Sequence, residues 1–385
     1  MKIAIVHDWL TGMRGGEKCL EVFCKLFPSA DLYSLLHIPN SVSPVIESHL
    51  THTSFIQNLP FVESKYRYYL PLMPMAIEQF DFNGYDLILS SSHCVAKSVK
   101  HGPETLHICY CHTPMRYIWD QFDQYFGRDT SGLIPATVMR ILRPWLQRWD
   151  ARTSRRVDHF IANSGHVRKR IKKYYGQEAT VIHPPVDTGL FTPDCEERGD
   201  YFLIVSAFAP YKRVDLAVEA FNKLGYSFTI IGEGQDAGPL RKMARPNIRF
   251  EGWLDNSAIR SHYARCRAFV FCGEEDFGIT LLEAQAMGRP VIAFGRGGAL
   301  ETVVPDSQTW KPETGIPKNK TSCPTGVFFY EQTSDSLVKA IQHFESVESQ
   351  FDAETIRRHA EQFDVAVFTD RIRNFIEERL EKHRC

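Results

Sequence analysis

The sequence predicts an α/β protein with two parallel sheets, and three observations support this expectation. Short apolar runs alternate with helical patterns through the 385 residues, which is typical of parallel sheets covered by helices. The length corresponds to two or three domains of about 150 residues. A stretch rich in turn-forming residues, 183–199, separates two halves with the same alternation. We therefore expect two Rossmann-like domains facing across a cleft, 1–185 and 186–365. A closing helix over 366–385 is expected to pack back toward the N-terminal domain.

The first half opens with the order strand, loop, helix. The apolar run Ile3–Val6 precedes a glycine-bearing loop, 12–16, and a helical pattern then continues until Pro28. Proline stops a helix that approaches it from the N-terminal side, so the boundary is well defined. Further short apolar runs in this half each end in a polar or thiol residue: Asp86–Ser90, Thr105–Cys109 and His159–Asn163.

The second half repeats this alternation more clearly. Its predicted strands are Phe202–Ser206, Phe228–Ile231, Ile248–Phe250, Ala268–Phe271 and Val291–Ala293. The helical patterns between and after them are Val214–Leu224, Pro239–Ala244, Ser257–Ala264, Ile279–Met287 and Gly298–Val303. In open parallel sheets, ligands bind outside the carboxyl ends of the strands. The loops that follow these strands are therefore the places to look for a binding site.

The composition excludes several classes of protein. With 43% hydrophobic residues, 24% charged residues and a net charge of −1, the chain is neither disordered nor fibrous. Ten cysteines without a Cys-x-x-Cys pair favour reduced, mostly buried thiols over a zinc site or a disulfide framework. No apolar stretch approaches the ~18–20 residues of a membrane helix. Charged residues follow the first apolar run too closely for a signal sequence. We expect a cytoplasmic protein. Its association with lipid is expected at the inner face of the cytoplasmic membrane.

One segment of the first half is strongly basic. Residues 140–173 contain eleven Lys and Arg side chains against two Asp, a charge of about +9. With Trp145, Leu146 and Trp149 interleaved, the segment fits an amphipathic helix facing lipid headgroups, phosphates or nucleic acid. A solvated helix face is the plainer interpretation. The aromatic-rich stretch 55–82 likewise fits either core packing or an apolar acceptor or membrane surface.

The densest signal for chemistry is the segment 274–283, directly after a predicted buried strand. Gly278 allows a tight turn, and a helix that starts near Ile279 points its first amides and its positive dipole end at a ligand. This arrangement suits a diphosphate. Glu275 and Glu283 would then accept hydrogen bonds from sugar hydroxyls, whereas acids on a solvated loop remain the alternative interpretation.

Two more loops follow predicted strands of the same sheet. The first supplies the cations Lys212 and Arg213, which suit the charge that develops on a leaving diphosphate. The second contains Gly234. Acidic residues show no Asp-x-Asp pattern and the histidines are not spaced as a metal cage, so no metal site is expected.

These motifs resemble a known family. The glutamates at 275 and 283, together with 210–213, 232–234 and 298–302, are similar to the donor half of family 4 retaining glycosyltransferases. The resemblance runs over most of the chain and implies the GT-B fold. The segments around Lys212 and Glu275 are most similar to bacterial GDP-mannose-dependent mannosyltransferases of polysaccharide and O-antigen assembly.

The resemblance also implies roles for individual residues. By analogy with the family, Glu275 contacts the donor sugar, Glu283 the ribose and Lys212 the diphosphate, while Gly15 and Gly16 cover the phosphates. The remaining residues assigned to donor binding are Arg213, Gly234, Asp276, Phe277, Gly278, Ile279 and Thr280.

A family histidine at the end of an N-terminal strand, followed by proline two residues on, matches His112. Catalytic roles are accordingly expected for His112, Glu275 and Lys212. One position departs from the pattern, because many members carry arginine where this chain has Ala207. Diphosphate charge must then be met mainly by Lys212.

The function implied is the retaining, metal-independent transfer of a sugar, most simply mannose from GDP-mannose. The acceptor would be a glycan or a polyprenyl-diphosphate-linked saccharide. No cofactor is expected, since the nucleotide sugar is a substrate, and nucleic acid is not an expected partner. Peripheral association with an anionic membrane is expected. The alternatives are an epimerase or phosphorylase of the same architecture, or a catalytically weak partner subunit.

Overall fold

The α/β two-domain fold is confirmed by a computed structural model, which describes residues 1–127, 132–193, 198–317 and 323–384. The chain divides into two compact units. The first comprises Met1–Pro184 and Phe368–Cys385, and the second comprises Pro185–Val367. Part of the predicted linker, residues 194–197, lies outside the described residues.

The first unit is built on a parallel sheet. Its strands are β1 (Ile3–His7), β2 (Asp31–Ser34), β3 (Thr51–Thr53), β4 (Leu87–Ser92), β5 (Leu106–Cys111), β6 (His159–Ala162) and β7 (Ala179–Val181). Among the described residues they form one seven-stranded sheet in the order β3-β2-β1-β4-β5-β6-β7. The direction of winding reverses between β1 and β4, so their carboxyl ends form the usual ligand-binding point of such a sheet.

The second unit repeats this arrangement. Its strands are β8 (Phe202–Val205), β9 (Phe228–Ile231), β10 (Ile248–Gly252), β11 (Phe269–Phe271), β12 (Val291–Phe294) and β13 (Gly326–Phe329). In the described part of the unit they form a six-stranded sheet in the order β10-β9-β8-β11-β12-β13, again all parallel. The winding reverses between β8 and β11. The loops after these two strands are those that the sequence singled out.

Helices connect the strands in both units. Those before residue 184 are α1 (Gly15–Leu26), α2 (Pro44–Glu47), α3 (Val62–Lys65), α4 (Met73–Ile77), α5 (Phe122–Phe126), α6 (Leu133–Thr153) and α7 (Gly165–Tyr175). Those of the second unit are α8 (Val214–Leu224), α9 (Ala237–Met243), α10 (Asn256–Arg265), α11 (Ile279–Ala286), α12 (Ala299–Thr302), α13 (Ser334–Val347) and α14 (Ala353–Glu361). The last helix, α15 (Val365–Arg384), begins in the second unit and ends in the first.

The structure adds elements that the apolar pattern did not indicate. The strands β3 and β7 lie at the two edges of the first sheet and are three residues long. Their residues are largely half-buried or exposed, so they lack the apolar run by which a central strand is recognised. The strands β2 and β13, four residues each, were not predicted either. The other strands of the two sheets and the helix α8 match the prediction closely, because their residues are buried on the expected faces.

The core of the first unit encloses an ion pair. The Nζ atom of Lys97 lies 2.7 Å from Oδ1 of Asp150, and both side chains are at most 1% exposed. The other carboxylate oxygen accepts hydrogen bonds from the Trp119 indole at 2.7 Å and the Tyr175 hydroxyl at 3.0 Å. Partners of this kind offset the cost of burying two charges. The pair joins the segment after β4 to α6 and α7.

The prediction of one amphipathic helix over the basic segment was wrong. Residues 140–173 span most of α6, the strand β6 and most of α7. Leu146 and Trp149 are buried in the core, and Arg156 is held by the Glu78 carboxylate and the Ser98 carbonyl. The intervening apolar strand, His159–Ala162, breaks the helical period, so the basic residues are distributed over two helices and a turn.

The described cysteines carry free thiols, and all of them except Cys323 are buried. Burial raises the pKa of thiols such as Cys24 and Cys266 to about 12. These side chains are therefore protonated packing residues at neutral pH. Within the described ranges, we find no helix that combines the length and the apolar character needed to cross a bilayer.

Candidate active-site residues

Two loops of the second unit meet at the carboxyl ends of β8 and β11. The first contains the short turn Pro210–Lys212, and the second begins at Gly273. A Cβ atom on Gly273 would lie 3.0 Å from the Tyr211 carbonyl oxygen and 3.2 Å from the Lys212 Cα. The two loops therefore pass close to each other, and a side chain at position 273 would require the loop that contains Lys212 to move by a few tenths of an ångström.

The contact between these loops brings together two of the predicted catalytic residues. The ammonium of Lys212 forms an ion pair with the carboxylate of Glu275. Both side chains are largely shielded from solvent, at 16% and 20% exposure. A cation and an anion therefore occupy the place where the sequence predicts contacts with a diphosphate and a sugar.

Helix α11 begins at the end of the same loop. Gly278 precedes it with a φ of +87°, a conformation that side chains rarely adopt. Further along the helix, Glu283 is buried and accepts a hydrogen bond from the Tyr263 hydroxyl at 3.2 Å. Burial and the nearby Glu283 carboxylate raise the pKa of Tyr263 well above its usual value. Tyr263, which the sequence did not single out, thus holds Glu283 as a neutral donor.

Three predicted donor-binding residues have packing or pairing partners within the second unit. The Phe277 ring is buried against Phe363, with centroids 5.9 Å apart. The Arg213 guanidinium donates to Asp215, with nitrogen–oxygen distances of 3.1–3.2 Å. A Cβ on Gly234 would lie 2.4 Å from a backbone oxygen of the loop after β8. The side chains of the other three, Asp276, Ile279 and Thr280, are half-buried around the start of α11.

The predicted residues of the first unit also lie at strand ends. His112 directly follows β5, and its Nε2 atom lies 2.8 Å from the Ser91 hydroxyl at the end of β4. Gly15 and Gly16 begin α1. A Cβ on Gly16 would lie 3.7 Å from the His112 Nε2 atom. The glycine loop and His112 are therefore neighbours in the first unit.

Sequence reasoning missed a buried polar cluster around His112. His7 contributes its Nδ1 atom, 3.0 Å from the Ser91 hydroxyl, and its Nε2 atom lies 3.5 Å from the Glu17 carboxylate. His7 and Ser91 occupy the ends of β1 and β4, where winding reverses. That position was a signal that could have found them, because polar residues at such strand ends face the ligand-binding point.

A second acid anchors the backbone beside this cluster. The Asp8 carboxylate accepts hydrogen bonds from four consecutive amides, His93 to Ala96, at 2.6–2.9 Å. It also lies 3.1 Å from the His93 ring. Burial, together with the charge of His7, lowers the pKa of His93 to about 3, so this ring is neutral. Across the described residues, no group of three or more His, Cys, Asp or Glu side chains could hold a metal ion.

The fold matches solved glycosyltransferase structures over nearly the whole chain. HepE from Anabaena, solved in complex with UDP, gives a TM-score of 0.70 at 16% identity and covers 98% of this chain and 100% of its own. Sucrose-phosphate synthase from Thermosynechococcus elongatus gives 0.72 at 15% identity, with 99% and 100% coverage. At these identities the likeness establishes the fold only.

Curated relatives match over a shorter stretch. A GDP-mannose-dependent alpha-(1-6)-phosphatidylinositol monomannoside mannosyltransferase from Mycobacterium tuberculosis is 29% identical over 171 residues, which are 36% of this chain and 44% of that protein. O-antigen chain mannosyltransferase C from Escherichia coli is 30% identical over 178 residues, or 40% and 46%. The matched segments thus span under half the length of these relatives.

Family models match each unit separately. The model described as Glycosyltransferase Family 4 matches residues 40–190, and the model described as Glycosyl transferases group 1 matches residues 199–344. The two matches correspond to the two compact units and are consistent with the solved structures of the same fold. This chain therefore belongs to the family 4, group 1 glycosyltransferases.

Proposed function

We propose that the protein is a retaining glycosyltransferase that transfers mannose from GDP-mannose to a glycan or lipid-linked saccharide. The observation that carries the proposal is the ion pair of Lys212 with Glu275, immediately before α11. The lysine and the first amides of the helix suit a diphosphate, while the two glutamates suit sugar hydroxyls. His112 is the residue of the first unit to which we assign a role in the transfer.

The choice of GDP-mannose is supported by the relatives. The mycobacterial match is named as GDP-mannose-dependent, and the Escherichia coli match is named as a mannosyltransferase. The Anabaena neighbour was solved in complex with UDP. Its identity of 16% is too low to indicate which nucleotide base the donor of this chain carries. Glu283, held by Tyr263, is proposed to accept hydrogen bonds from the ribose hydroxyls.

The ion pair between Lys212 and Glu275 suggests how the donor binds. The Lys212 ammonium forms an ion pair with the Glu275 carboxylate. A diphosphate carries more negative charge than one carboxylate, so it competes for the same ammonium. Once Lys212 turns to the diphosphate, the Glu275 carboxylate accepts hydrogen bonds from the sugar instead.

The transfer itself requires one bond to break and one to form. The bond between the anomeric carbon and the diphosphate oxygen breaks, leaving GDP with the bonding electrons. The acceptor oxygen attacks the same face of the oxocarbenium-like sugar, and its proton passes to the departing phosphate. Lys212 and the α11 amides stabilise the charge that develops on that phosphate. No metal ion is proposed for this step.

A thermal-shift panel in EDTA tests both donor and metal independence. GDP-mannose should raise the melting temperature more than GDP-glucose, UDP-glucose or ADP-glucose. A ligand present at 100 times its dissociation constant adds about 2.7 kcal/mol of stability. Transfer from GDP-mannose, followed by release of GDP, should continue in EDTA, and the product should keep the donor's anomeric configuration.

Three results would contradict parts of this proposal. Stabilisation by UDP sugars alone would overturn the base and sugar assignment. Activity lost in EDTA and restored by magnesium or manganese would overturn metal independence. Reaction only with inorganic phosphate as acceptor would indicate a phosphorylase.

Membrane attachment is proposed for one face of α6. Val138, Ile141 and Trp145 are 46%, 72% and 48% exposed, and their spacing of three and four residues places them on one side of the helix. Arg148 and Arg152, also exposed, follow on the same helix. An exposed apolar stripe beside cations suits the interface of an anionic membrane. Trp149, which the sequence also favoured for this role, is buried and cannot contribute.

Liposome sedimentation tests this attachment. Binding should require anionic lipid, weaken as salt rises, and fall at least ~30-fold in the double variant Arg148→Glu, Arg152→Glu, since each basic residue near such a surface contributes about 1 kcal/mol. Trp145→Asp should weaken binding as well. The matched control, Arg241→Glu with Lys242→Glu on α9, should bind as the wild type does. Equal binding to neutral and anionic vesicles, or none to either, would refute the proposal.

A further inference from the structure

His93 lies at the point of the first sheet where the direction of winding reverses. It directly follows β4, and its ring packs edge-to-face with the Trp9 indole, the centroids 4.5 Å apart. The centroid of the His112 ring is 6.4 Å away. A molecule that contacts His112 at this edge of the sheet is therefore within reach of His93, to which the proposed transfer gives no role.

The Asp8 carboxylate fixes the position of His93. Each of its two oxygens accepts hydrogen bonds from two backbone amides of the segment 93–96, at 2.6–2.9 Å. Asp8 is fully buried, so these four bonds tie the segment to the end of β1. One oxygen also lies 3.1 Å from the Nδ1 atom of the His93 ring. Asp8 therefore holds both the backbone and the side chain of this residue.

The His93 ring is neutral. Burial is the largest cause that lowers its pKa to about 3; the positive charge of His7 lowers it further and the charge of Glu17 raises it. This conclusion does not require a particular charge on His7, since a neutral His7 leaves burial as the main cause. The four amides occupy the lone pairs of the Asp8 carboxylate, so little of its charge remains to stabilise a cationic ring.

The contact with Asp8 decides which nitrogen of the neutral ring carries the proton. A bare lone pair on Nδ1 would be repelled by the carboxylate 3.1 Å away, so the one proton lies on Nδ1. The Nε2 atom is then a hydrogen-bond acceptor. It has no hydrogen-bond partner among the residues that the structure describes, and the side chain is 21% exposed, so this atom is accessible to a ligand.

The chemistry of Nε2 indicates which reactant it suits. An uncharged nitrogen with a lone pair accepts a hydrogen bond from a hydroxyl, but it would repel the oxygens of a diphosphate. In the proposed function, the hydroxyls of the donor are matched by Glu275 and Glu283 of the second unit. The hydroxyl-bearing reactant that is left for His93 is the acceptor.

We propose that His93, oriented by Asp8, binds the saccharide acceptor by accepting a hydrogen bond from one of its hydroxyls at Nε2. This inference rests on the proposed function. Asp8 is accordingly a positioning residue. The ring is not the base that removes the proton of the attacking hydroxyl, because a group with a pKa of about 3 does not retain a proton at neutral pH. That proton still passes to the departing phosphate.

Acceptor kinetics of His93→Phe test this contact, with methyl α-mannoside as the acceptor and GDP-mannose as the donor. Phenylalanine keeps a ring against Trp9 but has no nitrogen. The KM for methyl α-mannoside should rise about 2- to 10-fold, the effect of one hydrogen bond. The kcat, and the rise in melting temperature caused by GDP-mannose, should stay as in the wild type. His93→Gln, whose amide oxygen can replace Nε2 as an acceptor, should retain part of the affinity.

His101 provides a matched control in the same unit. Its ring is half-buried, and its nitrogens lie 2.9 Å and 2.7 Å from the backbone oxygens of Gly102 and Arg156. His101 precedes β5, whereas His93 follows β4. His101→Phe therefore removes polar contacts of a histidine away from the strand ends, and it should leave the KM for methyl α-mannoside unchanged.

Nitrogen NMR of histidine-labelled protein separates the contact from the transfer. Methyl α-mannoside, added with GDP in place of the donor, should shift the Nε2 signal of His93, assigned by its loss in His93→Phe, and leave the His101 signals unaltered. A His93 signal that saturating methyl α-mannoside leaves unchanged, or a wild-type KM in His93→Phe, would overturn the inference. A shifted His93 signal in a protein that transfers no mannose would instead refute the proposed function alone.

Discussion

Lys212→Ala is expected to lower the turnover of sugar transfer by about 100- to 1000-fold, the usual loss when one group that stabilises developing charge is removed. Affinity for the donor should fall much less, because the ammonium is most effective when the diphosphate has gained the charge of the broken bond. The measurement is kcat for transfer beside the dissociation constant of the donor.

A second lysine of the same unit provides the control for this variant. The Nζ atom of Lys223 lies 2.6 Å from Asp335 in an exposed ion pair. Lys223→Ala therefore removes the same side chain and an ion pair, but outside the proposed site, and should keep wild-type turnover. If Lys212→Ala also keeps it with an accepted donor, the leaving-group role is wrong. Glu275→Ala should reduce transfer as well while leaving the melting temperature within a few degrees of the wild type.

The largest loss of stability is expected from Lys97→Met. This change leaves the Asp150 carboxylate buried without its cation, and removing one partner of a buried pair costs about 3–5 kcal/mol of unfolding free energy. Methionine fills much of the same volume, so the loss reports the charge and not a cavity. Urea unfolding, followed by circular dichroism, measures it.

The control is a lysine three residues away. Lys100 lies 3.0 Å from Glu78, but its side chain is 56% exposed and Glu78 keeps Arg156 as a partner. Lys100→Met should therefore cost less than about 1 kcal/mol. The double variant Lys97→Met, Asp150→Asn should recover part of the loss, because it removes the unpaired charge. This account would be contradicted if Lys97→Met were as stable as Lys100→Met. It would also be contradicted if the double variant were as unstable as Lys97→Met alone.

From the sequence, the candidate site could be predicted only as a set of residues that directly follow predicted strands. Lys212, Glu275 and His112 follow apolar runs, and the loops after parallel strands gather at one edge of the sheet. Arg213 and Phe277 follow strands too, yet one pairs with Asp215 and the other packs on Phe363. Sequence places a residue at a strand end, but the direction of its side chain depends on neighbours distant in the chain.

The sequence by itself determined the α/β class, nine of the strands that the two sheets contain in the described residues, the helix α8 and the glutamate and lysine loops. These features depend on local periodicity and on short motifs, which involve only residues close together in the sequence. It did not determine β2 and β13, which are four residues long. It also did not determine the edge strands β3 and β7, whose residues are paired by the sheet and not by an apolar pattern of their own.

Only the tertiary structure decided how distant groups combine. Lys97 meets Asp150 and His112 meets Ser91 across separations of 53 and 21 residues, and Glu17 reaches His7 through the packing of α1 on the sheet. It also divided the basic segment between α6 and α7, burying Trp149 and leaving Ile141 and Trp145 in solvent. The physical reason is that ion pairing, tautomers and burial are fixed by three-dimensional neighbours, which a one-dimensional pattern does not contain.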